Sequence, residues 1–263
     1  MLLLQPQYGL ARSGQCYMDA IMTLVRACRV QEALMLLDQG DITIETRLCE
    51  NRGRQRPWTT MGGKILRAAT DVGCLDLVKV MLERGVDVDD EKFDGWRALE
   101  YAAKGGHVRI PEYLLKNGAS FNENTCLSES LTLAVVHGHL AIVSTLLKAG
   151  ADINTLWSKD TNTPLYHAAK HGHTYIVRYL LQQGAKLEID YDIITIDCGY
   201  NAVEEAAEKG YEEILRLLLT YGVKVHPLPD EDSHLKSWTP LAAAKQKGHK
   251  RIFRILMDSG VTE

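Results

Sequence analysis

TPLYHAAKHGHTYIVRYLLQQGAKLE, residues 163 to 188, carries three histidines within seven positions, and two of them, His167 and His171, stand four apart. In a helix that spacing puts both imidazoles on one face, as a zinc enzyme requires when a single helix supplies two ligands. The reading turns on whether the stretch is singular or one copy of many. Aligned on the glycine after its double alanine, it recurs as LRAATDVGCLDLVKVMLERGVDV, LEYAAKGGHVRIPEYLLKNGASF, LTLAVVHGHLAIVSTLLKAGADI, VEEAAEKGYEEILRLLLTYGVKV and LAAAKQKGHKRIFRILMDSGVTE, six copies in all. A seventh and weaker copy lies upstream, IMTLVRACRVQEALMLLDQGDIT, with Cys28 in the glycine's place.

The turn positions are Cys28, Gly73, Gly106, Gly138, Gly172, Gly210 and Gly248, spaced by 45, 33, 32, 34, 38 and 38 residues. A second glycine follows each of them by 12, from Gly40 and Gly85 through to Gly260. Each unit therefore reads as a short helix, a tight turn and a longer amphipathic helix, closed by a glycine able to take the left-handed conformation. Paired alanines (Ala102 and Ala103, Ala168 and Ala169, Ala206 and Ala207) let neighbouring helices approach closely. Leucine pairs at 114–115, 146–147 and 180–181 fill the seam between units, so that stacking builds a core no unit could bury alone. Lys245 at a second-alanine position, and Arg29 and Gln31 in the first unit, suit terminal units with one wetted face. Val30, Ala33, Leu34, Leu36 and Leu37 keep the first unit's inner face apolar.

The succession Thr-Pro-Leu, Ala-Ala, Gly-His, Leu-Leu, Gly-Ala in the quoted stretch, with Thr-Pro-Leu again at Thr239 to Leu241, resembles the ankyrin repeat over about residues 19 to 263. The resemblance implies an all-α fold, a solenoid of about seven helix-turn-helix units joined by β-hairpin loops. Approximate repeats fall at 19–45, 62–93, 94–126, 127–159, 160–193, 198–228 and 236–263, with a long connection over 41–61 and an N-terminal extension over 1–18. It also implies a role for His173, which shares its register with His107, His139 and His249, with Tyr211 and with Cys74: in ankyrin repeats this histidine serves hydrogen bonds between repeats. His171 falls at a variable, exposed register position, and His167 aligns with Tyr101, Leu133, Glu205 and Ala243. The pair occurs once, lacks a third ligand and sits beside the cationic Lys170, so neither a metal nor a cofactor is expected.

A composition 46% hydrophobic and 24% charged is ordinary for a soluble globular protein. The net charge of -4 lacks the surplus of Lys and Arg that nucleic acid or an anionic membrane would select, so neither is expected as a partner. The three leucines of the opening MLLLQPQYGLARSG are interrupted by Gln and Pro, leaving neither a signal-peptide core nor a span of about 20 apolar residues. The expectation is a cytoplasmic protein, in a host cytosol if it is a secreted bacterial effector, and monomeric when free. Cys16, Cys28, Cys49, Cys74, Cys126 and Cys198 are scattered without a C-x-x-C pair, and a chain of this length does not need staples, so free thiols are expected.

By resemblance, partners lie along the concave groove, against the hairpin tips and the exposed side of each first helix. The implied function is non-catalytic binding of a protein or extended peptide, with a targeting subunit or effector that redirects a host enzyme as a second reading. The position just before the Thr-Pro pair holds Gly63, Trp96, Ser128, Asn162, Tyr200 and Trp238, while Phe93, Trp157 and Tyr191 fall at hairpin tips. Aromatics at such places either anchor a partner or pack against the adjacent hairpin. Lys104, Lys159, Lys170 and Glu208 complete the candidate partner-binding set with Phe93, Trp96, Trp157, Tyr191, Tyr200 and Trp238. The acidic hairpins DVDDEKFD (87–94), EIDYDIITID (188–197) and PDED (229–232) suit a partner with a basic segment, and Asp90 and Asp192 read as rim carboxylates. The β-branched run IDYDIITID predicts a longer hairpin arm. An enzyme built on the inserted loops would use Cys49, Cys126 or Cys198 with a histidine base, but no nucleophile elbow or phosphate-cradling glycine loop is present, and no catalytic residue is assigned.

Overall fold

Threonine starts the first helices wherever a Thr-Pro or Thr-Met junction supplies it. The hydroxyl of Thr60 accepts from Gly63 N at 2.9 Å, that of Thr163 from Tyr166 N at 3.3 Å and that of Thr239 from Ala242 N at 3.2 Å, each satisfying an amide that has no partner within its own helix. Pro164 and Pro240 sit in the first turn, where their missing N–H costs nothing. Where the threonine is replaced by Arg97, the Glu100 carboxylate accepts from Arg97 N at 2.8 Å instead.

The structure, a computed structural model, describes residues 14–39, 47–48, 59–90, 96–119, 124–157, 162–191, 194–223, 225 and 239–259. The chain divides into two compact units, residues 1–126 and 127–263. The first contains the helical pairs α1 (Gly14–Arg26) with α2 (Val30–Gln39), α3 (Met61–Asp71) with α4 (Leu75–Glu83), and α5 (Ala98–Gly105) with α6 (Arg109–Lys116). Between α2 and α3, β1 (Arg47–Leu48) pairs antiparallel with β2 (Thr59–Thr60). The second unit opens within α7 (Asn124–Val136), which is followed by α8 (Leu140–Lys148). Three further pairs complete it: α9 (Pro164–Lys170) with α10 (Thr174–Gln182), α11 (Cys198–Lys209) with α12 (Glu212–Thr220), and α13 (Pro240–Lys247) with α14 (Lys250–Asp258). The expected longer arm is present as β3 (Glu188–Tyr191) paired antiparallel with β4 (Ile194–Asp197), which runs straight into α11. In unit 1, α3 packs between α1 and α5; in unit 2, α11 packs between α9 and α13 while α10 and α12 continue a second row from α8 to α14.

The core is the one the alanine and leucine pattern specifies. Ala102, Ala103, Ala168, Ala169, Ala206 and Ala207 are fully buried, as are Leu114, Leu146 and Leu180, whereas Leu115 and Leu147 are only half-buried. Lys245, Arg29 and Gln31 are exposed. Three details differ from expectation. First helices are not uniformly the shorter ones: α1, α3, α7 and α11 have 13, 11, 13 and 12 residues against 10, 9, 9 and 9 in their partners, because the chain enters them one turn or more upstream of the Thr-Pro register. For the same reason α1 begins at Gly14, inside the segment read as an extension, and α7 at Asn124, ahead of the boundary at 127. Finally, Cys28 and Cys74 are joined in a disulfide, with their Cα atoms 5.7 Å apart, and are not free thiols.

The join between successive pairs follows one plan. The ring of His107 covers Gly73, and its Nε2–H donates to Asp71 O at 2.9 Å; His173 covers Gly138 and donates to Val136 O at 3.0 Å; His249 covers Gly210 and donates to Glu208 O at 3.0 Å. A carbonyl only accepts, so each imidazole is held with its proton on Nε2. Tyr211 takes the same place over Gly172, and there the Lys170 carbonyl accepts instead from Lys209 Nζ at 2.7 Å. The histidine role implied by resemblance is therefore met at three joins, and at a fourth it is divided between two side chains.

Candidate functional site

In unit 1 the exposed side of α5 begins with Trp96, the residue before the helix cap. Its half-buried ring meets Tyr101 edge-on at 5.5 Å, and Lys104 Nζ lies 5.6 Å from the ring centre. Tyr101 and Lys104 lie one turn apart on α5, so the helix itself fixes the two groups that hold the indole. Two of the sequence candidates, Trp96 and Lys104, are thus brought together.

Asp90 is not the rim carboxylate it was read as. Arg67 Nη1 donates to its Oδ1 at 2.8 Å and to its backbone carbonyl at 2.7 Å, and the Thr60 hydroxyl and amide donate to Oδ2 at 2.6 and 3.1 Å. Both side chains of the ion pair are buried, 5% and 6% exposed. Gly63 completes the lock, because a Cβ there would overlap the Asp90 carboxyl. Arg67 and Asp90 are 23 residues apart with no pattern joining them, so only the fold brings them together.

In unit 2 the exposed side of the first helices is a ladder of rings and charges. Trp157 lies edge-on to His167 at 5.0 Å, and His167, only 2% exposed, lies edge-on to Tyr166 at 5.3 Å. Tyr166 Oη donates to Glu205 Oε1 at 2.7 Å and accepts from Lys170 Nζ at 3.3 Å. Lys170 also stands 5.2 Å over the Tyr166 ring, and Lys170 and Lys209 flank the Glu205 carboxylate at 3.9 and 3.6 Å. One rung further, Lys247 pairs with Glu208 at 3.1 Å. The candidates Lys170 and Glu208 therefore belong to a mutually neutralised array, which Tyr166, Glu205, Lys209 and Lys247, absent from the candidate set, complete. Lys209 and Lys247 share the variable register position of His171 while Tyr166 and Glu205 stand at two others, so no single column of the repeat marks the array.

His167 and His171 do not converge on a common point: His167 is packed beneath Trp157, whereas His171 is exposed with its ring 6.1 Å from that of His173. Desolvation first, then the charges of His173, Lys209, Lys170 and His137, hold the His171 imidazole below its ordinary value. Among the described residues no group of three or more His, Cys, Asp or Glu side chains is placed to hold a metal.

Glu204, half-buried beside Glu205 and Glu208, has its carboxyl raised above the ordinary 4.5, by burial first and by its two acidic neighbours second. Its ionisation in the folded state therefore lags that of the unfolded chain, and stability falls as pH rises from the ordinary value through the raised one. Glu204→Gln should raise the Tm at pH 7 and flatten that part of the stability profile, measured by thermal unfolding from pH 4 to 7; an unchanged or lowered Tm at pH 7 would mean that the carboxylate is favourably solvated.

The remaining candidates divide as follows. Phe93, Lys159 and Trp238, with Asp192, lie outside the described residues, as do the side chains of Tyr191 at the end of β3, Tyr200 in α11, and the cysteines Cys49, Cys126 and Cys198. The position before Thr-Pro is not one structural place: Trp96 and Asn162 precede helices, but Gly63, Ser128 and Tyr200 fall inside α3, α7 and α11, whose starts lie upstream. Ser128 is buried accordingly.

Helical pairs, most of their described joins made by a ring laid over the preceding turn, with rings and ion pairs along the exposed side of the first helices, define a stacked-repeat protein. A family model of three ankyrin repeats matches residues 26–125, 65–156 and 131–227, and the chain belongs to the ankyrin repeat family. It is 35% identical over 91 residues to ankyrin repeat and KH domain-containing protein mask-1 of Caenorhabditis elegans, covering 34% of this chain and 3% of that protein. It is 31% identical over 139 residues to the mouse ankyrin repeat, SAM and basic leucine zipper domain-containing protein 1, covering 51% and 29%. A match to L-asparaginase of Dirofilaria immitis, 35% over 89 residues, covers 34% of this chain and 15% of that one. The chain spans less than a third of the length of each of these relatives. The crystal structure of the human ASB11 ankyrin repeat domain superposes with a TM-score of 0.68 at 21% identity, over 89% of this chain and 96% of that one, a likeness of fold. Ankyrin repeat domains are general protein–protein interaction modules. Among the described residues no helix is long and apolar enough to cross a membrane.

Proposed function

We propose that the chain is a non-catalytic binding module that takes a protein or extended peptide on the exposed faces of its first helices and on its hairpin tips. The observation that carries this reading is Trp96, a half-buried indole fixed by the Tyr101 edge and the Lys104 ammonium on a rigid helix. A large ring held in one orientation loses little freedom on binding, which is what an anchor residue needs. In unit 2 a partner's Lys or Arg would meet Glu204, whose carboxyl is held above its ordinary value by burial first and by Glu205 and Glu208 second, and would favour its ionised form. This favours a partner with a basic segment.

Affinity capture followed by titration with the purified partner tests the reading. Trp96→Ala should weaken binding by about tenfold or more, the effect of truncating an aromatic anchor, while leaving the Tm within a few degrees of the parent. A variant that unfolds, yet binds as well per folded molecule, would make Trp96 a packing residue and remove the main support.

A further inference from the structure

The disulfide occupies a particular place. Cys28 stands at the turn position that glycine holds in every other pair, with φ at +52°, the one non-glycine residue of positive φ among those described. Cys74 stands at the register position of His107, His173 and His249, whose rings cover the preceding turn glycine. The two sulfurs therefore replace both halves of the contact that elsewhere joins one pair to the next. Among the described links across this join, α1 packs on α3 with Ile21 and Val25 fully buried, β1 pairs with β2, and Arg84 makes a two-pronged ion pair with Asp38 at 2.7 and 3.1 Å on the exposed surface. Such an exposed pair contributes little.

We infer that Cys28–Cys74 is a redox-controlled clasp standing in for the glycine–histidine contact, and that its reduction releases the α1–α2 pair while α3 to α6 stay packed. With the bond intact, the 46-residue separation between the cysteines closes a loop in the unfolded chain and binds the terminal pair covalently to its neighbour. With it broken, the join has neither an imidazole hydrogen bond nor a glycine at the left-handed position, where an L-residue is disfavoured. Residue Cys28 is exposed and Cys74 is buried, so the approach of a reductant is from the Cys28 side. A thiolate of a dithiol attacks Cys28 Sγ, the S–S bond breaks, and Cys74 leaves as a thiolate that takes a proton from water. The dithiol's second thiol then displaces Cys28 and leaves as a cyclic disulfide, so that two electrons and two protons have passed to the cysteine pair. Glutathione disulfide reverses the change and releases two glutathiones.

The test uses the full chain, oxidised with glutathione disulfide or reduced with dithiothreitol, and follows amide hydrogen exchange in residues 14–39 and 61–116. Reduction should speed exchange in the first segment by about tenfold or more and in the second by less than about twofold. Mapping of the unreduced digest should recover Cys28 and Cys74 in one linked peptide. Absence of that linkage after oxidation, or equal exchange of residues 14–39 in both states, overturns the inference. The double variant Cys28→Gly with Cys74→His restores the contact used elsewhere, and its exchange should no longer respond to dithiothreitol; a retained response would assign the effect to another cysteine.

Discussion

Asp90→Ala is expected to cost about 3–5 kcal/mol of stability, the penalty of removing one member of a buried ion pair. The substitution leaves the Arg67 guanidinium, 5% exposed, without this counter-charge, and takes the acceptor from the Thr60 amide and hydroxyl that start α3. Urea unfolding followed by circular dichroism measures the loss, and hydrogen exchange should place it in α3 and α5. A loss below about 1 kcal/mol would return Asp90 to the surface, where exposed ion pairs are worth that little. Replacing Arg67 and Asp90 together by apolar residues of similar volume should recover much of the stability, because the cost lies in the stranded charge.

Gly172→Ala should destabilise unit 2 by about 2–5 kcal/mol, combining the strain of an L-residue in the left-handed region with overpacking. Its φ is +75°, and an added Cβ would lie 2.8 Å from Cζ of the Tyr211 ring. Gly184→Ala is the control: its φ is +87° but nothing lies within 4 Å, so only the backbone strain of about 1–2 kcal/mol remains. Denaturant midpoints of the two variants separate the contributions. If Gly172→Ala proved no less stable than Gly184→Ala, the Tyr211 ring would be moving aside.

That contrast shows where the sequence was readable and where it stopped being so. The glycine register revealed the turns from Gly73 to Gly248, because a left-handed residue is a local demand that one residue type meets best. It did not separate covered glycines from open ones, since covering depends on a ring 34 to 39 residues away in the neighbouring pair. The alanine and leucine periodicity gave the core for the same local reason. Helix starts were misplaced where no Thr-Pro marked them, as at Gly14 and Asn124. Of the candidate site, Trp96 with Lys104 was legible from register and exposure, and so were Lys170 and Glu208. The burial of Asp90 was not, for an aspartate in an acidic hairpin carries no mark of an arginine folded beneath it. The cysteines were legible singly, each aligned with a glycine or a histidine, but spacing motifs are blind to partners that meet only across a stack.

The hydrogen bond from Lys209 to the Lys170 carbonyl also bears on how unit 2 comes apart. A linear array is governed by the intrinsic stability of each element and by the coupling constants between neighbours. In most arrays the two cannot be varied separately, because the residues that couple are also the residues of the core. Here Lys209 is a solvent-facing side chain whose removal leaves the apolar content of α9 to α12 untouched, so Lys209→Ala would weaken the coupling of α9 to α11 and, within α11, lose only its pair with Glu205. The steepness of unfolding, as distinct from its midpoint, becomes adjustable at a single surface residue.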